Sequence, residues 1–248
     1  MTPEGSYHPQ PTVDIVIRSY YRDLSWARYC LASIERYCRG FRDVVLIVPR
    51  GSFEKLRWMG LEADRVEVCP DYPDDYLGQQ VTKLYADEIS DADFLCHVDS
   101  DCVFREPVTP GDLIDRGRPL VLMRAYDELD PHVPWKQVTQ RFLGFEVAHE
   151  FMRRPPYTFP RWIYQRLREH AAAQHGTSLR TYVLNQPPRG FSEFNALGAF
   201  AYERRRDEFS WVDEAAPAVR FEPCRVFWSR AGVTRETRAE IDALLGGA

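Results

Sequence analysis

The first hundred residues alternate short β-branched apolar runs with amphipathic segments, and that alternation restricts the fold more than any other feature of the chain. Residues 13–20 (VDIVIRSY), 43–49 (DVVLIVP), 65–70 (RVEVCP) and 93–99 (DFLCHVD) read as strands. Between them lie 23–38 (DLSWARYCLASIERYC), where Leu24, Ala27, Leu31, Ile34 and Tyr37 share one helical face, the shorter 52–60 (SFEKLRWMG), and 79–89 (QQVTKLYADEI). Strands separated by helices pair in parallel through crossovers, so the expected class is α/β. Ligands of such sheets bind beyond the carboxyl ends of the strands.

After residue 104 the alternation fades. Residues 119–126 (PLVLMRAY) read as a strand, 134–152 mixes turns with helix, and a helix is expected from Pro160 to about His175, closed by Gly176. No repeat, low-complexity tract or linker divides the chain, so its 248 residues are expected as one domain with halves at about 12–105 and 106–248. Gly40, Gly51, Gly60 and Gly78 never fall into G-x-G-x-x-G or G-x-x-x-x-G-K-[ST], which disfavours a dinucleotide dehydrogenase or a P-loop enzyme.

A content of 44% apolar residues can supply a sizeable core, yet runs such as VVLIVP fall far short of the ~20 residues a membrane helix needs. Residues 1–11 lack a basic end followed by an apolar core and read as a flexible lead-in, so a cytoplasmic protein is expected. Six cysteines lie scattered in apolar segments without metal-site spacing, and buried reduced thiols are the expectation. Net charge is −5 but uneven: the first 150 residues carry 17 basic and 26 acidic residues, the remainder 15 and 11. The basic back half suits an anionic partner, and equally suits solvated arginines on helix faces.

Residues 94–104, FLCHVDSDCVF, place two acids one residue apart where the fourth strand should surface. In an extended chain His97, Asp99 and Asp101 can point one way, Val98 and Ser100 the other. Carboxylates that close repel unless one is protonated or a cation lies between them. Oxygen ligands in this number favour Mg²⁺ or Mn²⁺, with phosphate oxygens and water completing the shell. Such a cation neutralises charge on a diphosphate leaving group. A polar turn closing a strand accounts for the same residues, and spacing alone does not separate the two.

Four stretches, DIVIRSYYRD (14–23), GQQVTKLYAD (78–87), HVDSDCVF (97–104) and GFSEFNALG (190–198), together resemble GT-A fold nucleotide-sugar glycosyltransferases, in particular a group of bacterial and phage GT-A-like proteins. The resemblance covers most of the chain, and the acid pair is its one sharp motif. It implies a Rossmann-like nucleotide-binding sheet over about 12–105 fused to an acceptor-binding half. It further implies metal-dependent transfer of a sugar from a nucleotide-sugar, by family habit a UDP-sugar, to an acceptor hydroxyl. A saccharide or glycan is the default acceptor, and the basic back half leaves a hydroxymethylated DNA base open, without a nucleic-acid motif to support it.

By the same resemblance Asp99 and Asp101, with Ser100 between them, hold Mn²⁺ or Mg²⁺ and the donor diphosphate. Arg18, Ser19 and Tyr20 lie where the family holds the nucleotide; the Tyr20 ring can stack on a base or simply pack. Asp71 is placed to accept a hydrogen bond from base or ribose, or to be an ordinary loop acid; Lys83 is placed to reach phosphate, or to be solvated. In the back half Ser192 can cap a helix beginning at Glu193, with Phe191 and Phe194 partly desolvating the acid. Desolvation suits a general base, and the resemblance implies that Glu193 deprotonates the acceptor in a direct displacement. First-turn acids are also favoured simply by the helix dipole.

One departure stands out: many GT-A enzymes carry a late metal-binding histidine, whereas here the last is His175 and the corresponding segment reads CRVFWSRAG (224–232). Ser229 or Arg230 can approach the diphosphate instead, or form a strand-end turn. Trp135, Trp162 and Trp211 offer flat faces to a ligand or belong to the core, and His149 and His170 are expected on helical segments without a metal partner. Three rival functions remain. His97 and Asp99 form the His-x-acid half of a non-haem iron oxygenase site that His149, His170 or His175 can complete, though that family has an antiparallel barrel. A metal-dependent phosphodiesterase would use the same acids, and a binding module without turnover would bind sugar nucleotides.

Overall fold

A computed structural model describes residues 11–216, 222–229 and 232–246. The expected alternation is present: β1 (Val13–Arg18), β2 (Val44–Pro49), β3 (Arg65–Cys69) and β4 (Phe94–Asp99) are joined by α1 (Leu24–Tyr37), α2 (Arg50–Trp58) and α3 (Asp75–Leu84). Downstream come β5 (Cys102–Phe104), α4 (Pro110–Leu113), β6 (Ile114–Asp115), β7 (Arg118–Ala125), α5 (Trp135–Leu143), β8 (His149–Glu150) and β9 (Tyr157–Pro160). The chain continues through α6 (Trp162–His175), α7 (Leu179–Leu184), α8 (Glu193–Arg204), β10 (Ser210–Asp213), β11 (Cys224–Val226) and α9 (Arg235–Leu244). The fold is mixed α/β with a mostly parallel central sheet, compatible with a Rossmann-like arrangement.

The central sheet has the order β3-β2-β1-β4-β9, parallel throughout except for β9. Period-two alternation gives it two apolar faces. Ile15, Ile17, Leu46, Val48, Cys96 and Val98 share a core with Leu24, Ala27 and Ile34 of α1 and Leu56 of α2. Val16, Val45, Ile47 and Leu95 face the larger core, which takes Val81 from α3, Leu167 from α6 and Leu197 from α8. Full burial of one such side chain contributes about 1.5–3 kcal/mol, so both faces must be covered by helices. The larger core therefore draws on both halves of the chain.

From β1 the chain steps outward to β2 and β3, and α3 then carries it back to β4 on the other side of β1. The order reverses there, and reversal opens a crevice at the strand carboxyl ends. Arg18 and Asp99 are register partners at that end of β1 and β4.

Several boundaries differ from expectation. The third helix starts at Asp75, four residues early, because the Asp74 carboxylate accepts the N–H groups of Tyr76 and Leu77 at 2.9 and 3.3 Å. Strand β9 is unforeseen: its four residues follow a proline pair, a pattern that suits only a sheet edge, and that is where it lies. His149 is not helical but sits in β8, paired with Ala125 of β7. Helix α6 ends where expected, with Gly176 at φ 65°. All six cysteines are buried and unpaired. Among the described residues no helix is long and apolar enough to cross a membrane. The lead-in expected over residues 1–11 lies, apart from its last residue, outside the described residues.

Candidate active site

Asp99 closes β4, and Ser100 and Asp101 turn the chain into β5. Lys83 reaches this point from the last turn of α3. Its Nζ donates to Asp99 Oδ1 at 2.6 Å and to Glu193 Oε1 at 2.9 Å, and lies 4.9 Å from the centre of the Phe194 ring. Lys83 is only 4% exposed and Glu193 only 6%, so the solvated alternative for Lys83 does not hold. An acid from the front half and an acid from the back half thus share one buried ammonium.

Negative charge exceeds positive around this centre. Burial alone would pull the Lys83 ammonium down, but Asp99 and Glu193 more than offset it and raise its pKa. Burial and the Asp99 charge push the Asp101 carboxyl up, against the Ser229 N–H donated to its Oδ2 at 2.9 Å. Burial, Asp101 and Asp75 push the Asp23 carboxyl up to about 6, with the Ser229 hydroxyl and Arg18 opposing. Asp23 immediately precedes α1, and the signal that brings it into the site is spatial, since nothing in RSYYRD places it beside Asp101.

The start of α8 is fixed by a buried polar network. Asn195 Oδ1 accepts the Phe151 N–H at 2.8 Å, while its Nδ2 donates to Glu150 Oε1 at 3.1 Å and Ser192 Oγ at 3.0 Å. Arg153 in turn donates to Glu150 at 2.9 Å and Glu214 at 2.7 Å. Ser192 does occupy the position before the helix, but its hydroxyl takes the Asn195 amide and caps no backbone N–H. Glycine is required within this helix: a Cβ on Gly198 would lie 2.4 Å from the Phe151 Cβ.

Asp99, Asp101 and Glu193 line a cavity of about 460 Å³. Helix α3 presents Tyr76, Gln79, Gln80 and Lys83 to it at helical spacing, and the Gln80 carbonyl oxygen there is buried without a hydrogen-bond partner. The lining also includes Tyr157, stacked 4.1 Å from Phe194, together with Trp135, Arg189 and Trp228. Trp228 is 75% exposed and, like Arg189, has a positive φ (54° and 62°), a conformation that costs a non-glycine residue roughly 1 kcal/mol or more and clusters at functional sites. Sequence reasoning missed Tyr157, Arg189 and Trp228, which come from loops and the short β9.

The other expected residues divide. Arg18 is buried and forms a two-pronged ion pair with Asp75, with one prong at 2.7 Å and its Nε unpartnered; the Ser19 hydroxyl is likewise buried and unpartnered. Tyr20 packs edge-on against Tyr21, centres 5.5 Å apart, and burial followed by Asp23 raises its pKa. Asp71 lies away from the cavity lining, and its Oδ1 accepts the Gly51 N–H at 2.9 Å, holding the start of α2. Trp135 lines the cavity, whereas Trp162 and Trp211 pack against Phe209. Arg230 lies outside the described residues.

The histidines do not converge. His97 shares a sheet face with Asp99, but its Nε2 is 2.6 Å from the Tyr164 hydroxyl, and His170 and His175 contact the Leu143 and Phe142 carbonyls. Burial, then Lys83, lowers the His97 pKa to about 3 against the pull of Asp99, keeping the ring neutral.

A family model matches residues 15–216, from β1 to just past β10. The chain belongs to the DUF6492 family. DUF6492 is described as a family of unknown function, and no curated protein matches the chain. The region shared with DUF6492 includes Lys83, Asp99, Asp101 and Glu193 and stops before Trp228 and Ser229. Among the described residues of this DUF6492 chain, no group of three or more His, Cys, Asp or Glu is arranged to hold a metal ion. Asp99 and Asp101 supply two carboxylates, the donor type a hard divalent cation takes, with Asp99 Oδ1 already engaged by the Lys83 ammonium.

Proposed function

We propose that the protein is a GT-A-like glycosyltransferase that moves a sugar from a nucleotide-sugar to an acceptor hydroxyl. The observation carrying this reading is the placement of Asp99 and Asp101 at the point where strand order reverses, lining one cavity with a glutamate from the other half of the chain that shares the Lys83 ammonium with Asp99. Asp99 and Asp101 would hold Mn²⁺ or Mg²⁺, which supplies charge neutralisation for the diphosphate leaving group. Lys83 adds a second positive charge at that end of the cavity. Glu193 takes the acceptor proton as the acceptor oxygen bonds to the anomeric carbon; the bond from that carbon to the diphosphate breaks, and the nucleoside diphosphate leaves.

Trp135 and Trp228 offer ring faces on the cavity wall suited to a saccharide acceptor, which we favour over a hydroxymethylated DNA base. A UDP-sugar is the first donor to try. Six buried, unpaired thiols suit a reducing compartment, and we place the protein in the cytoplasm.

The test is the melting temperature with a panel of nucleoside diphosphates and their sugar conjugates, each with Mn²⁺, Mg²⁺ or chelator. A ligand bound only by the native state raises it. We expect a rise with one nucleotide that depends on the cation; no rise with any nucleotide under any of the three conditions would remove the reading.

A further inference from the structure

Lys83 is an unusual cation for this chain. The sequence has 32 Lys and Arg residues, of which only Lys55, Lys83 and Lys136 are lysine, and the other two lysines are exposed. Elsewhere near the site an ion pair with at least one buried member uses an arginine, as in Arg18 with Asp75 or Arg153 with Glu150. Arginine presents a rigid planar fork that holds a carboxylate in two-point geometry, whereas lysine is a compact charge on a flexible stem that can change partners. Where Asp99 of the front half and Glu193 of the back half share one cation, that cation is the flexible lysine.

Resting on the proposed function, we infer that Lys83 is an internal counter-ion that a divalent cation must displace from Asp99, and that the donor diphosphate is the new partner that makes the displacement favourable. In the structure Lys83 Nζ occupies Asp99 Oδ1 at 2.6 Å, the carboxylate a divalent ion would need. Two cations cannot share that oxygen closely without repulsion. Breaking the Lys83–Asp99 contact without replacement would leave the buried ammonium with Glu193, at 2.9 Å, in place of two acid partners, a loss of stabilisation that opposes cation binding. A diphosphate in the cavity that Lys83 lines supplies the replacement. Cation alone therefore binds weakly, nucleotide alone binds weakly, and the two together bind with strong synergy. The same exchange loosens Lys83 from Glu193, to which it donates at 2.9 Å, so the base becomes available once the donor is seated. Lys83 is thus a positioning residue that links donor binding to the readiness of Glu193.

The experiment measures Mn²⁺ binding to the intact protein by the electron paramagnetic resonance of free Mn²⁺, with and without UDP, for wild type and Lys83→Gln. Removing the competing charge should tighten binding of Mn²⁺ alone by about tenfold, weaken UDP binding, and reduce the factor by which UDP improves Mn²⁺ affinity. A purely structural lysine would instead lower all affinities together. Unchanged or weaker Mn²⁺ binding in a folded Lys83→Gln protein overturns the inference, as does failure of both proteins to bind Mn²⁺. Should the variant not fold, wild-type protein labelled with ¹³C at lysine Cε decides: the three lysines give three signals, assigned with Lys55→Arg and Lys136→Arg. The Lys83 signal should shift on adding Mg²⁺ with UDP, and an unmoved signal on demonstrated binding overturns the inference. Mn²⁺ uptake that Lys83→Gln tightens, with no nucleotide of any base binding, supports the displacement of Lys83 while removing the glycosyltransferase reading.

Discussion

The Asp101 carboxylate accepts the Ser229 backbone N–H at 2.9 Å, joining residues 128 positions apart. The Phe227 N–H donates to the Asp101 carbonyl at 3.0 Å, so one residue anchors the late segment by both side chain and backbone. Among the described residues the Asp99 side chain has no such tie to that segment and instead accepts from Lys83 at 2.6 Å. The two acids of the motif therefore have separable second duties. Asp99→Ala and Asp101→Ala are each expected to abolish the cation-dependent rise in melting temperature with nucleotide. Only Asp101→Ala should also speed amide exchange at Ser229, since a hydrogen bond to a charged group is worth about 1.5–3 kcal/mol. Intact cation-dependent nucleotide binding in both variants would remove the pair from the donor site.

Glu193→Gln keeps shape and removes the proton acceptor. General base catalysis contributes about 10²–10⁴-fold, so transfer should fall by that factor while the nucleotide-induced rise in melting temperature persists. The variant also takes a negative partner from Lys83, which still holds Asp99. Initial rates measured alongside thermal shifts distinguish the roles: near-normal transfer would exclude Glu193 as the base.

His97 gives the pH dependence of stability. Its folded pKa is about 3 against 6.5 for a free imidazole, so between these values the unfolded chain binds more protons than the native one. The contribution is fully present above pH 6.5 and is lost as pH falls toward 3. A divalent ion on Asp99 would repel a His97 proton in the same sense as Lys83 does, so the sign holds with or without it. Melting temperature should drop between pH 6.5 and 4, with a shallower slope in His97→Gln, which keeps a polar partner for Tyr164 and cannot titrate. An imidazole resonance of His97 titrating near 6 would contradict this.

The parts of the fold visible in the sequence are those set by local periodicity. The apolar alternation of β1 to β4 and the helical spacing of α1 announce a parallel sheet, and the Asp99-Ser100-Asp101 turn stands where a strand meets its ligand edge. What stayed hidden depends on contacts between distant segments. Lys83 looks like any helical lysine until α8 brings Glu193 to it. Asp23 becomes part of the acidic cluster only because β1 and β4 are neighbours. Asp71 has the right position after β3 for a ligand contact, yet the Gly51 N–H claims it, a partner that no spacing rule foretells. Strand β9 is too short to show a period and is created by the open edge of β4.

Gly198 illustrates a residue whose reason is legible only in three dimensions, and its replacement gives a clean test. In an exposed helix alanine would be favoured over glycine by about 1 kcal/mol. Here a Cβ would meet Phe151 Cβ at 2.4 Å and Cγ at 2.5 Å. Phe151 cannot simply retreat, because its N–H is held by Asn195 Oδ1 at 2.8 Å from the same helix, and its ring is buried against Tyr202 and Trp211. The overpacking cost, typically about 1–3 kcal/mol, should exceed the propensity gain. Gly198→Ala is expected to lower the melting temperature, and Gly198→Ala with Phe151→Leu to recover part of the loss through their direct contact. Because α8 carries Glu193 at its start, the single variant should also reduce transfer more than it reduces nucleotide binding. A Gly198→Ala protein as stable as wild type would mean that α8 does not pack its backbone onto Phe151, and the placement of Glu193 beside Lys83 and Asp99 would lose its support.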